Sequence, residues 1–269
     1  GTRMDFSYTA DEISFRKRLN EFLDKEMTEE IARQNWEDKG VSREAREFSL
    51  KLAAYGFLGM GWPTEYGGKG LGPTYDFILL DELGKRWGAH VPLDVGYTMV
   101  GPTILRRGSE ELKKEFLPRI IGGEIEFCLG YTEPNAGSDL AALIMEAVDD
   151  GDAYVISGQK TFNTECHYAE YHWLAARTDL SPEAARHKSI TLFVVDMNSP
   201  GITVRPIDNI GGYSEFAEVF FDEVRVPRDP ACSVCASTRI HGRITGFARP
   251  SNIATTGRRF LRSHSATRA

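Results

Sequence analysis

The pattern of apolar and polar positions changes period once along this chain, near residue 126. Thr9-Ala10-Asp11-Glu12 has the form of a capping box, in which side chains at both ends satisfy the first orphan amides of a helix. Phe15, Leu19, Phe22 and Leu23 follow at i, i+4, i+7 and i+8, the stripe of an amphipathic helix. Ser42 is placed to cap a second helix carrying Ala45, Phe48 and Leu52, with Gly56 as its stop. Thr74 starts a third with Phe77, Leu80 and Leu83 inside. Pro92 to Arg106 reads as a fourth with Gly96 in its interior, and Ser109 caps a fifth with Leu112, Phe116 and Ile120 on one face. Together these predict a helical bundle.

Strand-like runs then take over. Glu126 to Tyr131, Tyr154 to Phe162, Tyr171 to Arg177, Ile190 to Asp196, Ile202 to Pro206 and Ala217 to Val226 are β-branched or aromatic, separated by Gly, Pro, Asn and Asp clusters. Short strands after a run of helices predict an α+β chain: an N-terminal all-α helical bundle, then a small β-barrel or sandwich. The expected boundaries are residues 1–125 for the helical domain and 126–229 for the β domain, with 230–269 a separate tail. Gly1, Thr2 and Arg3 ahead of Met4 read as a cloning remnant.

Composition narrows the class. With 269 residues, 41% hydrophobic and 26% charged, two domains with cores of their own fit an ordinary globular protein. No apolar run approaches a membrane span, and no leader pattern opens the chain, so a cytoplasmic home is expected. The net charge of -7 hides a split, because residues 230–269 hold seven arginines and no Asp, Glu or Lys. All 39 acids therefore lie in the first 229 residues, and an acidic body argues against nucleic-acid binding. Cys128 and Cys166 read as small buried residues; Cys232 and Cys235 form a lone C-x-x-C pair that lacks two further zinc ligands, so no metal site is expected.

The chemistry is concentrated at one strand end. Leu129 to Asp139, Leu-Gly-Tyr-Thr-Glu-Pro-Asn-Ala-Gly-Ser-Asp, runs a strand into an abrupt turn. Pro134 removes a donor, Gly137 permits a close approach, and Ser138 and Asp139 offer short polar groups for neighbouring amides. Thr132-Glu133-Pro134-x-Ala136-Gly137-Ser138-Asp139 resembles the flavin-binding signature of the acyl-CoA dehydrogenases. Gly158 to Thr164 is similar to that family's second flavin segment, and Trp62 to Gly68 to its loop between early helices. The resemblance covers about Phe6 to Arg228.

The resemblance implies an FAD-dependent oxidoreductase of fatty-acid or lipid metabolism that dehydrogenates an acyl-CoA thioester to the 2-enoyl-CoA. It implies electron-transfer flavoprotein or a similar acceptor as partner, and a homo-tetramer or heteromer. Leu129, Tyr131, Thr132, Gly137 and Ser138 would contact the flavin. Phe162 would lie against its ring, Thr164 would hydrogen-bond near N5, and Ser138 would also touch the CoA side of the substrate. Each also has a plainer role, Phe162 as β core and Thr164 as a strand residue. Glu133 is not a base in the family, Asp139 fits a turn acceptor, and His167 and His172 fit surface or strand positions. Glu165-Cys166-His167 departs from the family pattern.

In the family a C-terminal four-helix domain carries the glutamate that acts as base. Residues 230–269 contain no carboxylate and no sustained apolar stripe, so no catalytic residue is expected in the chain. A natural basic tail and an out-of-frame translation both fit this composition, the sharp onset suiting the second. A truncated dehydrogenase, inactive by itself and holding FAD weakly, is the leading expectation. It comes with uncovered apolar surface on the helices bearing Phe15, Phe48 and Phe116. A non-catalytic FAD- or CoA-binding subunit of a heteromeric enzyme and an acyl-CoA oxidase are the alternatives. Gly96 and Gly101 either widen the acyl site or serve helix packing.

Overall fold

The computed structural model describes residues 7–38, 43–87, 95–211, 214–228 and 233–234. Among the described residues, six α-helices precede the strands: α1 (Ala10–Glu26), α2 (Glu29–Asp38), α3 (Arg43–Ala54), α4 (Pro73–Trp87), α5 (Gly101–Arg107) and α6 (Glu110–Ile121). The strands are β1 (Phe127–Gly130), β2 (Glu146–Asp149), β3 (Ala153–Thr164), β4 (Tyr171–Arg177), β5 (Ile190–Asp196), β6 (Ile202–Ile207), β7 (Phe216–Pro227) and β8 (Ser233–Val234). The expected order of a helical part followed by strands is therefore present. The strands form one curled eight-stranded sheet in the order β6-β7-β3-β2-β4-β5-β8, with β1 added in parallel on β4.

Local chemistry explains the helix ends. The Thr9 side chain accepts from the Glu12 amide while the Glu12 carboxylate accepts from the Thr9 amide at 2.7 Å, closing the capping box. Ser109 accepts from the Leu112 amide at 3.1 Å and starts α6. Ser42 lies outside the described residues, as do Cys232, Cys235, residues 1–3, the first residues of the expected fourth helix and all of 235–269. Two elements lacked a sequence signal. Helix α2, Glu-Glu-Ile-Ala-Arg-Gln-Asn-Trp-Glu-Asp, is mostly polar, and four-residue β2 is half polar.

Phe15, Leu19, Phe22, Leu23, Phe48, Leu52, Leu112, Phe116 and Ile120 are all buried in the helical core. That core continues into the sheet through Phe127 and Trp173. Phe15, Phe48 and Phe116 are themselves covered, while on two of the helices that bear them Ile13 of α1 is 57% and Leu50 of α3 is 40% exposed. The inner face of α4 was misassigned. Ile78, Leu79 and Leu83 are buried, whereas Phe77 is 57% and Leu80 is 40% exposed. A helix with apolar residues at 77, 78, 79, 80 and 83 has two candidate stripes, and packing against α1 selects one.

The fourth helical segment opens on a π turn, Gly96–Val100, before α5. Such turns widen a helix locally. Tyr97 stacks on Trp62 at a centroid distance of 5.2 Å, donates to Asp76 at 2.8 Å and accepts from the Gly59 amide at 3.0 Å. A Cβ at Gly101 would fall 2.1 Å from the Trp62 ring, so this glycine serves packing. We expect Gly101→Ala to destabilise the protein by about 1–3 kcal/mol, the usual cost of overpacking a filled core. Urea unfolding monitored by tryptophan fluorescence measures it, and an unchanged midpoint would show that the indole yields freely.

Candidate functional site

The turn after β1 is held by a buried charge. Pro134 and Asn135 occupy its tip, and the Glu133 and Ala136 backbones exchange two hydrogen bonds of 2.9 and 3.0 Å across it. The Glu133 side chain points inward, where its carboxylate accepts from the Ile144 amide at 2.7 Å and the Met145 amide at 3.0 Å. It also accepts from Lys160 Nζ at 2.8 Å; Lys160 is fully buried on β3. Burial pulls the Lys160 ammonium below its ordinary pKa, while the Glu133 carboxylate opposes that shift. Glu133 is thus a tether that ties the turn to β2 and β3. Ser138 and Asp139, expected to bond the turn amides, do not. The Asp139 carboxylate instead faces Arg186 at 3.8 Å on the surface.

A second clamp follows. Arg177, at the end of β4, donates Nε to the Leu143 carbonyl at 2.7 Å, Nη2 to the Ala141 carbonyl at 2.5 Å and Nη1 to the Arg186 carbonyl at 3.0 Å. It also donates to the Ser189 hydroxyl. The loop 140–145 is therefore fixed at both ends by charge-assisted bonds, which are the strong ones. Neither Lys160 nor Arg177 carries a sequence signal as a loop anchor, because their partners, the Glu133 carboxylate for Lys160 and mainly backbone carbonyls for Arg177, are distant in the chain.

The second segment is a bulge. Along the β3–β7 ladder Lys160 pairs with Val219 but Asn163 pairs with Ala217, so β3 holds one residue more than its partner. Phe162 sits in the bulge with φ of 54° and is 60% exposed. A non-glycine residue held left-handed costs roughly 1–3 kcal/mol, and such outliers cluster where a side chain has a task. The plainer reading of Phe162 as β core is excluded by that exposure. The Thr161 amide donates to the Thr132 carbonyl at 2.9 Å, which ties the bulge to the turn.

The sequence-selected residues separate into two groups. Tyr131, Thr132, Phe162 and Thr164 lie at one end of β1 and β3, drawn together by that Thr161–Thr132 bond. Tyr131 is half-buried, and burial pushes its phenol up. Gly137 and Ser138 are exposed beyond the turn, and a Cβ at Gly137 would meet open space. Leu129 is set apart, its side chain packed against the helical core. Among the described residues no protein hydrogen bond engages the hydroxyls of Thr132, Ser138 or Thr164. An exposed aromatic ring, open space at a glycine and three unengaged hydroxyls fit a planar, hydrogen-bonding heterocycle such as a flavin.

Past the bulge, Glu165 is left-handed with φ of 59° and starts the turn to β4. Its carboxyl is pushed up to about 7 by burial, then by the charges of Glu126 and Glu215. Fully buried His172 is pushed down to about 3 by burial, with the Lys160 charge adding to the effect. Cys128 and Cys166 are buried and form no disulfide among the described residues, and the Cys128 thiol donates to the Tyr171 carbonyl at 3.7 Å. Among the described residues no group of His, Cys, Asp or Glu could hold a metal ion, and no helix is long and apolar enough to cross a membrane.

Two predictions test this architecture. Lys160→Met leaves Glu133 charged and buried, and should destabilise by about 3–5 kcal/mol in urea unfolding. Adding Glu133→Gln should recover much of that loss; a single variant as stable as the parent would show the pair to be idle. The second concerns pH. A carboxyl raised in the fold contributes stability that is lost as pH rises through about 7, whereas a histidine lowered in the fold loses stability as pH falls below its ordinary 6.5. Between pH 5 and 6.5 the two slopes oppose. Glu165→Gln should therefore unmask a Tm that climbs over this range and should raise Tm at pH 8. A Tm profile parallel to the parent's at every pH would remove Glu165 from the account.

Comparison with known proteins places these segments. A family model described as "Acyl-CoA dehydrogenase, N-terminal domain" matches residues 9–124, and one described as "Acyl-CoA dehydrogenase, middle domain" matches residues 128–224. The chain is 48% identical over 180 residues to acyl-CoA dehydrogenase FadE29 of Mycobacterium tuberculosis, covering 66% of this chain and 45% of that one. Its fold is similar to the ChsE4-ChsE5 complex from Mycobacterium tuberculosis, with TM-score 0.73 and 36% identity over 86% of this chain and 57% of that one. It is also similar to the Tcur3481-Tcur3483 steroid ACAD, with TM-score 0.74 and 38% identity over 86% and 59%. The chain spans about half the length of the curated relatives it matches.

Proposed function

The chain belongs to the acyl-CoA dehydrogenase family, and on that premise we propose that it supplies the flavin-holding part of an FAD-dependent acyl-CoA dehydrogenase. Residues 1–125 act as the helical unit and 126–229 as the flavin-binding unit. The single observation that carries this reading is the bulge at Phe162, which projects an aromatic ring beside Thr164 and is bonded to the turn carrying Thr132.

FAD, when bound, accepts the hydride that leaves the β-carbon of the thioester. The residues of this chain hold and orient it. Exposed Phe162 would lie against the flavin and shield it from water. The Thr164 hydroxyl, which has no protein partner among the described residues, would donate a hydrogen bond to the flavin and stabilise negative charge on the reduced ring. Such a donor, fixed before the reaction, stabilises the developing charge without reorganising. Backbone groups of Leu129 to Thr132, with Gly137 and Ser138, hold the remaining polar edge, and Ser138 reaches the CoA side of the substrate. The base that removes the α-proton is not assigned to a residue of this chain.

The substrate is an acyl-CoA thioester, and the likeness to a protein described as a steroid ACAD supports a bulky, ring-bearing acyl group. Exposed Phe77, Leu80 and Met99 on the helical part offer apolar surface to it. An electron-transfer flavoprotein or similar acceptor receives the electrons. A second reading is a subunit that works beside a different chain, which the two-protein ChsE4-ChsE5 neighbour favours.

Two measurements test these proposals in the intact protein. A panel of straight-chain and steroid-side-chain acyl-CoAs, assayed with an electron-accepting dye, should give turnover that is highest on the bulky esters. Turnover only with oxygen and peroxide release would favour an oxidase, and a protein that takes up no flavin would sink both. Turnover appearing only with a second chain would establish the subunit reading. Thr164→Val should slow flavin reduction by up to about tenfold, the rate equivalent of one hydrogen bond. Unchanged flavin spectrum and reduction rate would reduce Thr164 to a strand residue.

A further inference from the structure

One fully buried polar pair lies directly behind the bulge and has no part in the chemistry above. Asn163 is the residue at which the β3–β7 ladder resumes, and it has no exposed surface. Its Nδ2 donates to the Ala217 carbonyl on β7 at 3.2 Å, which fixes the amide so that Oδ1 faces His172. His172 Nε2 is 2.9 Å from that oxygen, so Nε2 carries the proton and donates. Nδ1 is then an acceptor, and it is buried without a partner.

The same ring reaches the other segment. In register His172 lies between Cys128 of β1 and Val195 of β5, and its ring packs edge-to-face on Phe221 at 5.2 Å. Two residues beyond Cys128, Gly130 has no Cβ; one built there would fall 1.8 Å from the imidazole Cε1. The ring therefore occupies the space that a side chain of β1 would take, immediately before Tyr131 and Thr132. One side of it contacts the strand that leads into the turn, and the other bonds the strand that forms the bulge.

We infer that His172 and Asn163 are a positioning pair that sets the spacing and tilt of the turn and the bulge relative to each other. The inference rests on the reading of these two segments as the flavin holder. A polar pair is a costly choice at this place, because an unpartnered buried acceptor destabilises where an apolar ring would not. What it supplies is direction. The Asn163 amide bonds β7 and β4 at once, so the backbone on either side, Phe162 and Thr164, is held at a set angle. An apolar pair of equal volume would fill the space without fixing that angle.

The test uses the intact flavoprotein with three substitutions, His172→Phe, His172→Gln and Asn163→Leu. His172→Phe and Asn163→Leu should keep the parent's far-ultraviolet circular dichroism while peptides spanning 159–165 exchange amide hydrogens faster, before any FAD is added. With FAD, both should shift the flavin visible band and midpoint potential and slow reduction by up to about tenfold. His172→Gln retains a donor toward Asn163 and should restore part of each effect; it also serves if the phenylalanine variant does not fold. Unchanged exchange in 159–165, or an unchanged band and potential in all three FAD-loaded variants, would overturn the positioning role. A parent protein that takes up no FAD would defeat the flavin reading and this role together.

Discussion

The buried Glu133–Lys160 pair is the constraint on which the site depends. A carboxylate removed from water needs several donors before its burial is tolerated, and here it has the Lys160 ammonium and two consecutive backbone amides. Meeting that demand forces the chain into one path: β1 must end where Glu133 turns inward, β3 must pass behind it with Lys160 facing it, and residues 144–145 must return beneath the turn. The Arg177 clamp on the Ala141 and Leu143 carbonyls completes the loop from the other side. The exposed groups of the turn carry little of its structural bonding, because buried charges supply it. That division explains why Ser138 and Asp139 are not spent on holding the turn.

A second consequence appears two residues on from Lys160. With Lys160 fixed inward, a regular strand would send Phe162 to the same side and bury it. The extra residue in β3 breaks that alternation, and Phe162 turns out at positive φ while Asn163 goes in. The bulge therefore converts a core-type residue into an exposed aromatic surface, and its backbone strain is offset by the bonds of Asn163 to Ala217 and His172. Gly130 belongs to the same arrangement, since the His172 ring needs the volume that any side chain would occupy.

The helical part acts as a backing. Its core runs without a break into the sheet through Phe127, Trp173 and Val194, so β1 is pinned by apolar packing on one flank and by its ladder with β4 on the other. Arg46 on α3 adds a polar link, bonding Glu170, whose other oxygen accepts from the Glu126 amide at the start of β1. The strand that leads into the site is thus held at both ends before the turn begins.

Much of this was legible in the residues themselves. The Thr9–Glu12 capping box, the Ser109 cap, the Phe15–Leu23 stripe and the spans of β4 and β5 follow from local periodicity and side-chain chemistry, which tertiary packing did not need to override. The turn at 132–139 and the segment 158–164 were recognisable because their glycine, proline and hydroxyl spacing is unusual. Other features depended on contacts between positions far apart. Whether Phe77 or Ile78 faces inward was decided by α1. Whether Gly101 makes room for a ligand or for an indole was decided by Trp62. The roles of Glu133, Lys160, Arg177 and His172 came only from the fold, since a buried charge or imidazole takes its meaning from its partners. Sequence spacing marked where a ligand could be held, and the long-range pairing of β1, β3 and β4 decided which side chains hold the place open.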